Sequence, residues 1–184
     1  HIVLLEAPPG AGKSTVVPLA LLDAEWRGGG RILMLEPRRI AARAVAERMA
    51  TLIGEQAGQT IGFRTRLETR VGPRTQVEVV TEGILTRMLQ HDPGLDGTAC
   101  VVFDEFHERN LQGDLGLALC LESQRHLRDS LRLLIMSATL DGEALLRLLG
   151  DAAVVRSPGR MFDVDTHYVA PPRNDTARSL RVEG

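Results

Sequence analysis

Ala7-Pro8-Pro9-Gly10-Ala11-Gly12-Lys13-Ser14-Thr15 holds the only lysine of a 184-residue chain with 22 Lys+Arg; at every other cationic position the residue is arginine. An ammonium is a compact point charge on a flexible stem, whereas a guanidinium is a wide planar fork, and a turn that wraps a phosphate has room only for the first. The stretch matches the spacing G-x-x-x-x-G-K-[ST], with Ala7 in place of the first glycine. The apolar run from Ile2 to Leu5 leads into it as a strand, and the apolar periodicity from Val16 to Leu22 follows it as a helix, with Ser14 to Ala24 as the predicted helical span. Pro9, Gly10, Ala11 and Gly12 supply the turn, and Gly10 and Gly12 can take positive φ so that successive N–H groups converge on an anion at the helix N-terminus. Lys13 is placed to reach β/γ-phosphates and Ser14 to ligate Mg²⁺, while Thr15 either reaches an earlier phosphate or caps the helix.

Working outward, strand-like runs recur at Ile32 to Leu35, Gln76 to Val80, Cys100 to Phe103, Leu131 to Met136 and Ala152 to Val155, with Thr60 to Arg66 as a further short strand. Helical patterns alternate with them over Arg38 to Ile53, Glu82 to Gln90, Leu111 to Arg125 and Gly142 to Leu149. That alternation predicts an α/β fold with a mainly parallel sheet covered by helices. Turn-forming stretches Gly28-Gly29-Gly30, Asp92-Pro93-Gly94 and Ser157-Pro158-Gly159 separate the elements. A content of 43% hydrophobic but only 3% aromatic residues requires a core of Leu, Val, Ile and Ala, and the length suffices for one such core. From Val169 to Gly184 the chain has turn composition, expected for a linker or tail after a domain spanning residues 1–168.

Cys100 and Cys120 fall in apolar elements and read as buried small residues, which together with the lack of a secretory leader predicts a reducing, cytoplasmic setting. No stretch approaches the ~20 apolar residues of a membrane span, so no membrane partner is expected. A formal net charge of −2 argues against a domain that binds nucleic acid through overall charge, and confines any such contact to local arginine clusters. Two are available: Arg38, Arg39 and Arg43 after the second strand, and Arg64, Arg66, Arg70 and Arg74 in a segment rich in Thr and Gly, which reads equally well as a solvated face.

A second chemical constellation is Cys100-Val101-Val102-Phe103-Asp104-Glu105-Phe106-His107, an apolar strand ending in adjacent carboxylates. Strand C-termini are where open α/β sheets place their ligands. Asp104 can hold Mg²⁺, and Glu105 can orient and deprotonate the water that attacks a γ-phosphate. His107 is a candidate for coupling this site to a neighbouring domain.

Asp104-Glu105-Phe106-His107 resembles the motif that names the DEAH-box helicases of superfamily 2, with Phe106 in place of alanine, and the phosphate loop beginning in alanine is similar to theirs. Glu36-Pro37-Arg38-Arg39 with Ala41-Ala42 resembles motif Ia, Thr81-Glu82-Gly83 motif Ib, and Ser137-Ala138-Thr139 motif III, in the family's order. Phe106, Gly62-Phe63-Arg64 and Gly159-Arg160-Met161-Phe162 look most like the bacterial HrpB-type branch of ATP-dependent RNA helicases.

The resemblance implies a P-loop NTPase domain of RecA-like, three-layer α/β/α build that binds ATP with Mg²⁺ and contacts single-stranded or partly duplex RNA. DNA stays open as the nucleic acid, since no residue here is marked for a 2′-hydroxyl. It further implies Arg38, Arg39, Thr81 and Gly83 at the nucleic-acid backbone, Arg48 against the adenine, and Ser137 and Thr139 linking γ-phosphate loss to movement of the Asp104-Glu105 loop. Nothing in the chain resembles the arginine-bearing motif of the family's second motor domain, so this first domain is expected to hydrolyse ATP slowly by itself, and Phe162 to Tyr168 is expected to be a connecting strand toward that second RecA-like domain. A nucleotide-gated binding module without catalysis is the alternative from another class.

Overall fold

The computed structural model describes residues 1–139 and 143–158. The connecting strand at Phe162 to Tyr168, the Gly159–Phe162 match, the tail from Val169 and the predicted helix start at Gly142 lie outside the described residues. In chain order, β1 (Ile2–Glu6) leads to α1 (Lys13–Ala20), β2 (Arg31–Leu35) to α2 (Arg39–Leu52), and a hairpin of β3 (Ile61–Arg64) and β4 (Thr69–Arg70) precedes β5 (Val77–Val80) and α3 (Glu82–His91). Then come β6 (Thr98–Phe103), a 3-10 turn over Phe106–Glu108, α4 (Leu111–His126), β7 (Arg132–Ser137), α5 (Glu143–Leu149) and β8 (Ala153–Arg156).

The strands form one sheet in the order β4-β3-β5-β2-β6-β7-β1-β8, parallel throughout except for the β3–β4 hairpin. Strand alternation sends side chains to two cores. Leu33, Val80, Phe103 and Ile135 meet Leu85 of α3 and Leu117 and Leu121 of α4 on one face. On the other, Ile32, Met34, Val79 and Val102 meet Ala42, Ala46 and Met49 of α2. Each fully buried Leu, Ile, Val, Met or Phe among them contributes about 1.5–3 kcal/mol. Both cysteines are free and buried.

Two elements depart locally from the predicted spans. The first helix ends at Ala20 rather than Ala24, and the chain tightens into a 3-10 turn over Leu21–Asp23. The two-residue strand β4 is exposed on both residues and carries no apolar alternation that could have announced it.

The second arginine segment is partly consumed by the fold. Glu78 is fully buried in β5 and is gripped by Arg64 at 2.7 Å and Arg31 at 3.4 Å, whose side chains stay 39% and 40% exposed. Arg70 pairs with Glu68 at 2.9 Å, tying the hairpin together. A buried carboxylate is tolerable only while its cations remain, and the converse also holds for the arginines crowded around it. Glu78→Ala is therefore expected to lower stability by about 3 kcal/mol, at the low end for a broken buried pair because both guanidinium groups still reach water. Chemical denaturation at neutral pH checks it, and a loss under about 1 kcal/mol would mean that the pair is only as valuable as a surface one.

Candidate nucleotide and nucleic-acid site

All seven mutually parallel strands run the same way, so the segments leaving β1, β2, β5, β6 and β7 emerge on a single edge of the sheet. Topology alone thus gathers the phosphate loop, Glu36-Pro37-Arg38-Arg39, Thr81-Glu82-Gly83, Asp104-Glu105 and Ser137-Ala138-Thr139. The phosphate loop follows β1 and Asp104 follows β6, with β7 between them. Two strand spacings put about 10 Å between those exits, a gap suited to a polyphosphate and a cation.

In the loop, Gly10 and Gly12 both have φ 79°, and Gly12 is the N-cap residue of α1. A residue with a Cβ would be strained at either position. Lys13 is 5% exposed and folds back over its own loop, donating from Nζ to the carbonyl oxygens of Ala7 (2.6 Å) and Pro8 (3.1 Å). An ammonium has three donors, so one remains for an anion cradled by the turn. Thr15 does not cap α1: it lies inside the first turn, with its hydroxyl 3.5 Å from the Gly12 carbonyl.

Asp104 is 4% exposed. Its Oδ1 accepts from the Glu105 backbone N–H at 2.9 Å, while Oδ2 is buried without a hydrogen-bond partner among the described residues. Burial raises the Asp104 carboxyl above the ordinary range; the Ser14 hydroxyl, the Glu105 N–H and the Lys13 charge pull it back, and Glu105 adds to the rise. An orphaned carboxylate oxygen beside a serine hydroxyl at the mouth of a phosphate loop is a donor set that fits Mg²⁺, which takes one or two protein oxygens and completes its octahedron with phosphate and water. Among the described residues no group of three or more His, Cys, Asp or Glu is arranged to hold a metal ion.

Glu105 takes φ 49°, the left-handed region that a non-glycine residue rarely enters, which turns its carboxylate away from the strand direction. Its Oε2 lies 3.4 Å from His107 Nε2. The other ring nitrogen of His107, Nδ1, lies 3.4 Å from the Ala138 N–H, so the histidine spans from the Glu105 carboxylate to the segment after β7. Ser137 is 3% exposed and bonds within that segment to Thr139, while its carbonyl accepts from the Ala7 N–H at 3.1 Å. Ser137 and Thr139 therefore sit between the phosphate loop and Asp104-Glu105.

Toward the other end of the edge, Arg38 is exposed and pairs with Glu108, and Arg39 is exposed at the start of α2. Thr81 is the N-cap residue of α3, 8% exposed, and Gly83 is exposed beside it. Arg48 is exposed on α2, nine residues beyond Arg39, and about 13 Å along the helix from the sheet edge at 1.5 Å per residue. It is the one candidate not brought to the edge itself.

Sequence reasoning gave Glu36 no role beyond its place in the motif Ia match, although a carboxylate directly after the apolar run Ile32 to Leu35 was the available signal. It is 3% exposed. Burial first, then the neighbouring negative charges of Asp104, Glu105 and Glu108, push its carboxyl up to about 8, against a backbone N–H at Arg38 that lowers it. The native state thus keeps a proton that the unfolded chain releases near the ordinary value of 4.5, and stability falls as pH rises between those two values. Glu36→Gln is expected to melt higher than the wild type in magnesium-free buffer, by a margin that grows from about pH 5 to about pH 8. A margin independent of pH, in thermal melts across that range, would contradict the assignment.

Comparison with known proteins bears on this geometry. The DEAD/DEAH box helicase family model matches residues 1–148. The ATP-dependent RNA helicase HrpB of Escherichia coli strain K12 is 57% identical over 190 aligned positions, covering 98% of this chain and 23% of the relative. The ATP-dependent RNA helicase DHX30 of Rattus norvegicus is 37% identical over 91% of this chain and 14% of its own length. The chain therefore spans less than a quarter of the curated relatives it matches. Among solved structures, the E. coli DExH-box NTPase HrpB superposes with TM-score 0.82 at 56% identity over 94% of this chain and 21% of that one. The E. coli DEAH/RHA helicase HrpB superposes with TM-score 0.84 at 57% identity over 89% and 21%. The fold is accordingly the RecA-like α/β/α domain of the P-loop NTPases.

Proposed function

The chain belongs to the DEAD/DEAH box helicase family, and from that premise we propose that it is the ATP-binding first motor domain of an ATP-dependent RNA helicase, comprising residues 1–168 and a linker, 169–184, toward a second RecA-like domain. The observation that carries the proposal is the convergence of the Lys13 loop and the Asp104-Glu105 pair on opposite sides of Ser137 at one sheet edge, with Asp104 Oδ2 buried and without a hydrogen-bond partner among the described residues.

In this reading the backbone of Pro9 to Gly12, with Lys13, Ser14 and Thr15, holds the triphosphate of ATP. Ser14 and Asp104 hold Mg²⁺, which when bound neutralises phosphate charge and lends the site electrophilic character. Glu105 positions the attacking water and takes its proton. His107, lying between Glu105 and Ala138, relays the state of the hydrolytic loop to Ser137 and Thr139, and Arg48 borders the adenine. Arg38, Arg39, Thr81 and Gly83 contact phosphate and sugar, which positions a strand without reading its bases, as a translocating motor requires. Turnover then depends on a second domain that supplies an arginine, a contribution of roughly 10³–10⁵ in related phosphoryl-transfer enzymes.

Steady-state ATP hydrolysis by the full-length protein, with single-stranded RNA or DNA of matched length, tests the reading. Stimulation by RNA supports it; stimulation by DNA alone replaces it with a DNA-directed motor. The proposed setting is the cytoplasm; among the described residues no helix is long and apolar enough to cross a membrane.

A further inference from the structure

Between the hydrolytic loop and motif Ib lies a short path of contacts that neither site uses directly. Asn110, the N-cap residue of α4, accepts at Oδ1 from the Gly113 N–H at 2.8 Å and donates from Nδ2 to Glu82 Oε1 at 2.6 Å. Glu82 is the first residue of α3 and stands between Thr81 and Gly83. The Gly113 backbone lies against the same pair: a Cβ there would stand in van der Waals contact, 3.4 Å from the Glu82 oxygen and 3.5 Å from the Asn110 amide.

On its other side, Asn110 ends a stiff segment that begins at Asp104. Phe106 is buried and packs edge-on against Phe103 at 6.1 Å. Arg109 lies over the Phe106 ring at 5.5 Å and grips Asp114 of α4 with two hydrogen bonds of 3.1 and 2.9 Å. Glu105 and Arg109, flanking the 3-10 turn, both take positive φ, at 49° and 32°. Non-glycine residues held in that region are retained only where surrounding contacts over-determine them, so a shift of the Asp104-Glu105 loop has little slack to dissipate it before Asn110.

We propose that Asn110 is a positioning residue that couples the nucleotide end of this domain to its nucleic-acid end, by fixing the start of α3 to the segment that carries Asp104 and Glu105. The chemistry explains why an amide stands there. One group must accept from the Gly113 N–H and donate to a carboxylate at once, and an amide offers both functions. An aspartate would cap α4 equally well but would face Glu82 with a second negative charge. The inference rests on the helicase reading, because it concerns how RNA binding changes ATP turnover.

The test uses the full-length protein and reads the ratio of ATP hydrolysis with saturating single-stranded RNA to that without it. Asn110→Asp is expected to keep the wild-type melting temperature and the RNA-free rate while the ratio falls by about 5-fold or more, the lower range of an allosteric coupling. Glu82→Gln alone is expected to keep the ratio, since its amide can still pair with Asn110. Combined with Asn110→Asp, Glu82→Gln returns a donor from the opposite side, and the ratio is expected to recover. An undiminished ratio in Asn110→Asp overturns the coupling, and so does a ratio that stays low in the double variant, since the loss would then lie outside this pair. A wild-type protein that RNA does not stimulate overturns the helicase reading itself, and the coupling with it.

Discussion

Glu105→Gln in the full-length protein is expected to lower RNA-stimulated ATP hydrolysis by about 10²–10⁴-fold, the contribution of a positioned general base, while nucleotide affinity stays close to wild type. The substitution keeps the shape of the side chain and removes its capacity to take a proton. Glu105 is suited to that capacity by where the backbone holds it. Its left-handed φ of 49° departs from the strand that carries Asp104, so the two adjacent carboxylates serve different positions, one buried with Oδ2 free for a cation and one partly exposed at 33% of its side chain. Separate measurement of nucleotide binding and steady-state turnover distinguishes this outcome from a general collapse of the site. Turnover within about 3-fold of wild type would assign the base elsewhere, whereas a Glu105→Gln protein that keeps its biological activity while Lys13→Ala loses it would favour the non-catalytic module.

Lys13→Ala is expected to weaken binding of a nucleoside diphosphate or triphosphate by about 10–10²-fold from the phosphate contact alone, the equivalent of about 1.5–3 kcal/mol for one charge-assisted hydrogen bond. The loss is expected to be larger still because the ammonium also ties the Ala7 and Pro8 carbonyl oxygens at 2.6 and 3.1 Å, so its removal loosens the turn that would cradle the phosphates. Lys13→Arg is expected to fail as a rescue. A residue only 5% exposed, packed onto its own loop, leaves no space for a planar guanidinium, although the charge is retained. Titration with a fluorescent nucleotide analogue checks all three proteins, and an arginine variant that binds like the wild type would refute the steric argument for the chain's single lysine.

Much of this architecture is legible in the residues because its parts are local. The buried strands read as short apolar runs, since a parallel sheet covered on both faces has no polar side to alternate with. The candidate site followed from two of their C-terminal ends. What stays hidden is set by long-range packing. Strand order, with β7 inserted between the strands that lead to Lys13 and Asp104, depends on the pairing of β1 with β7, Ile2 opposite Leu133. Arg64 and Arg70 look from spacing like candidates for a nucleic-acid face, yet both are paired to carboxylates: Arg64 to Glu78, which the sheet brings to it, and Arg70 to Glu68, two residues away. Glu36 reads as one more polar residue beyond a strand, and its raised carboxyl becomes visible only when Asp104 and the loop after it arrive alongside.

Calorimetric titration of this chain with Mg²⁺-ADP tests the central claim most directly, since it asks whether the phosphate loop and Asp104 form a nucleotide site without depending on nucleic acid or turnover. Saturable binding at one site, weakened when magnesium is withheld, is the predicted result. Absence of binding by a chain that still melts cooperatively would contradict it, and would mean that a loop beginning with Ala7 does not hold a nucleotide diphosphate on this sheet edge.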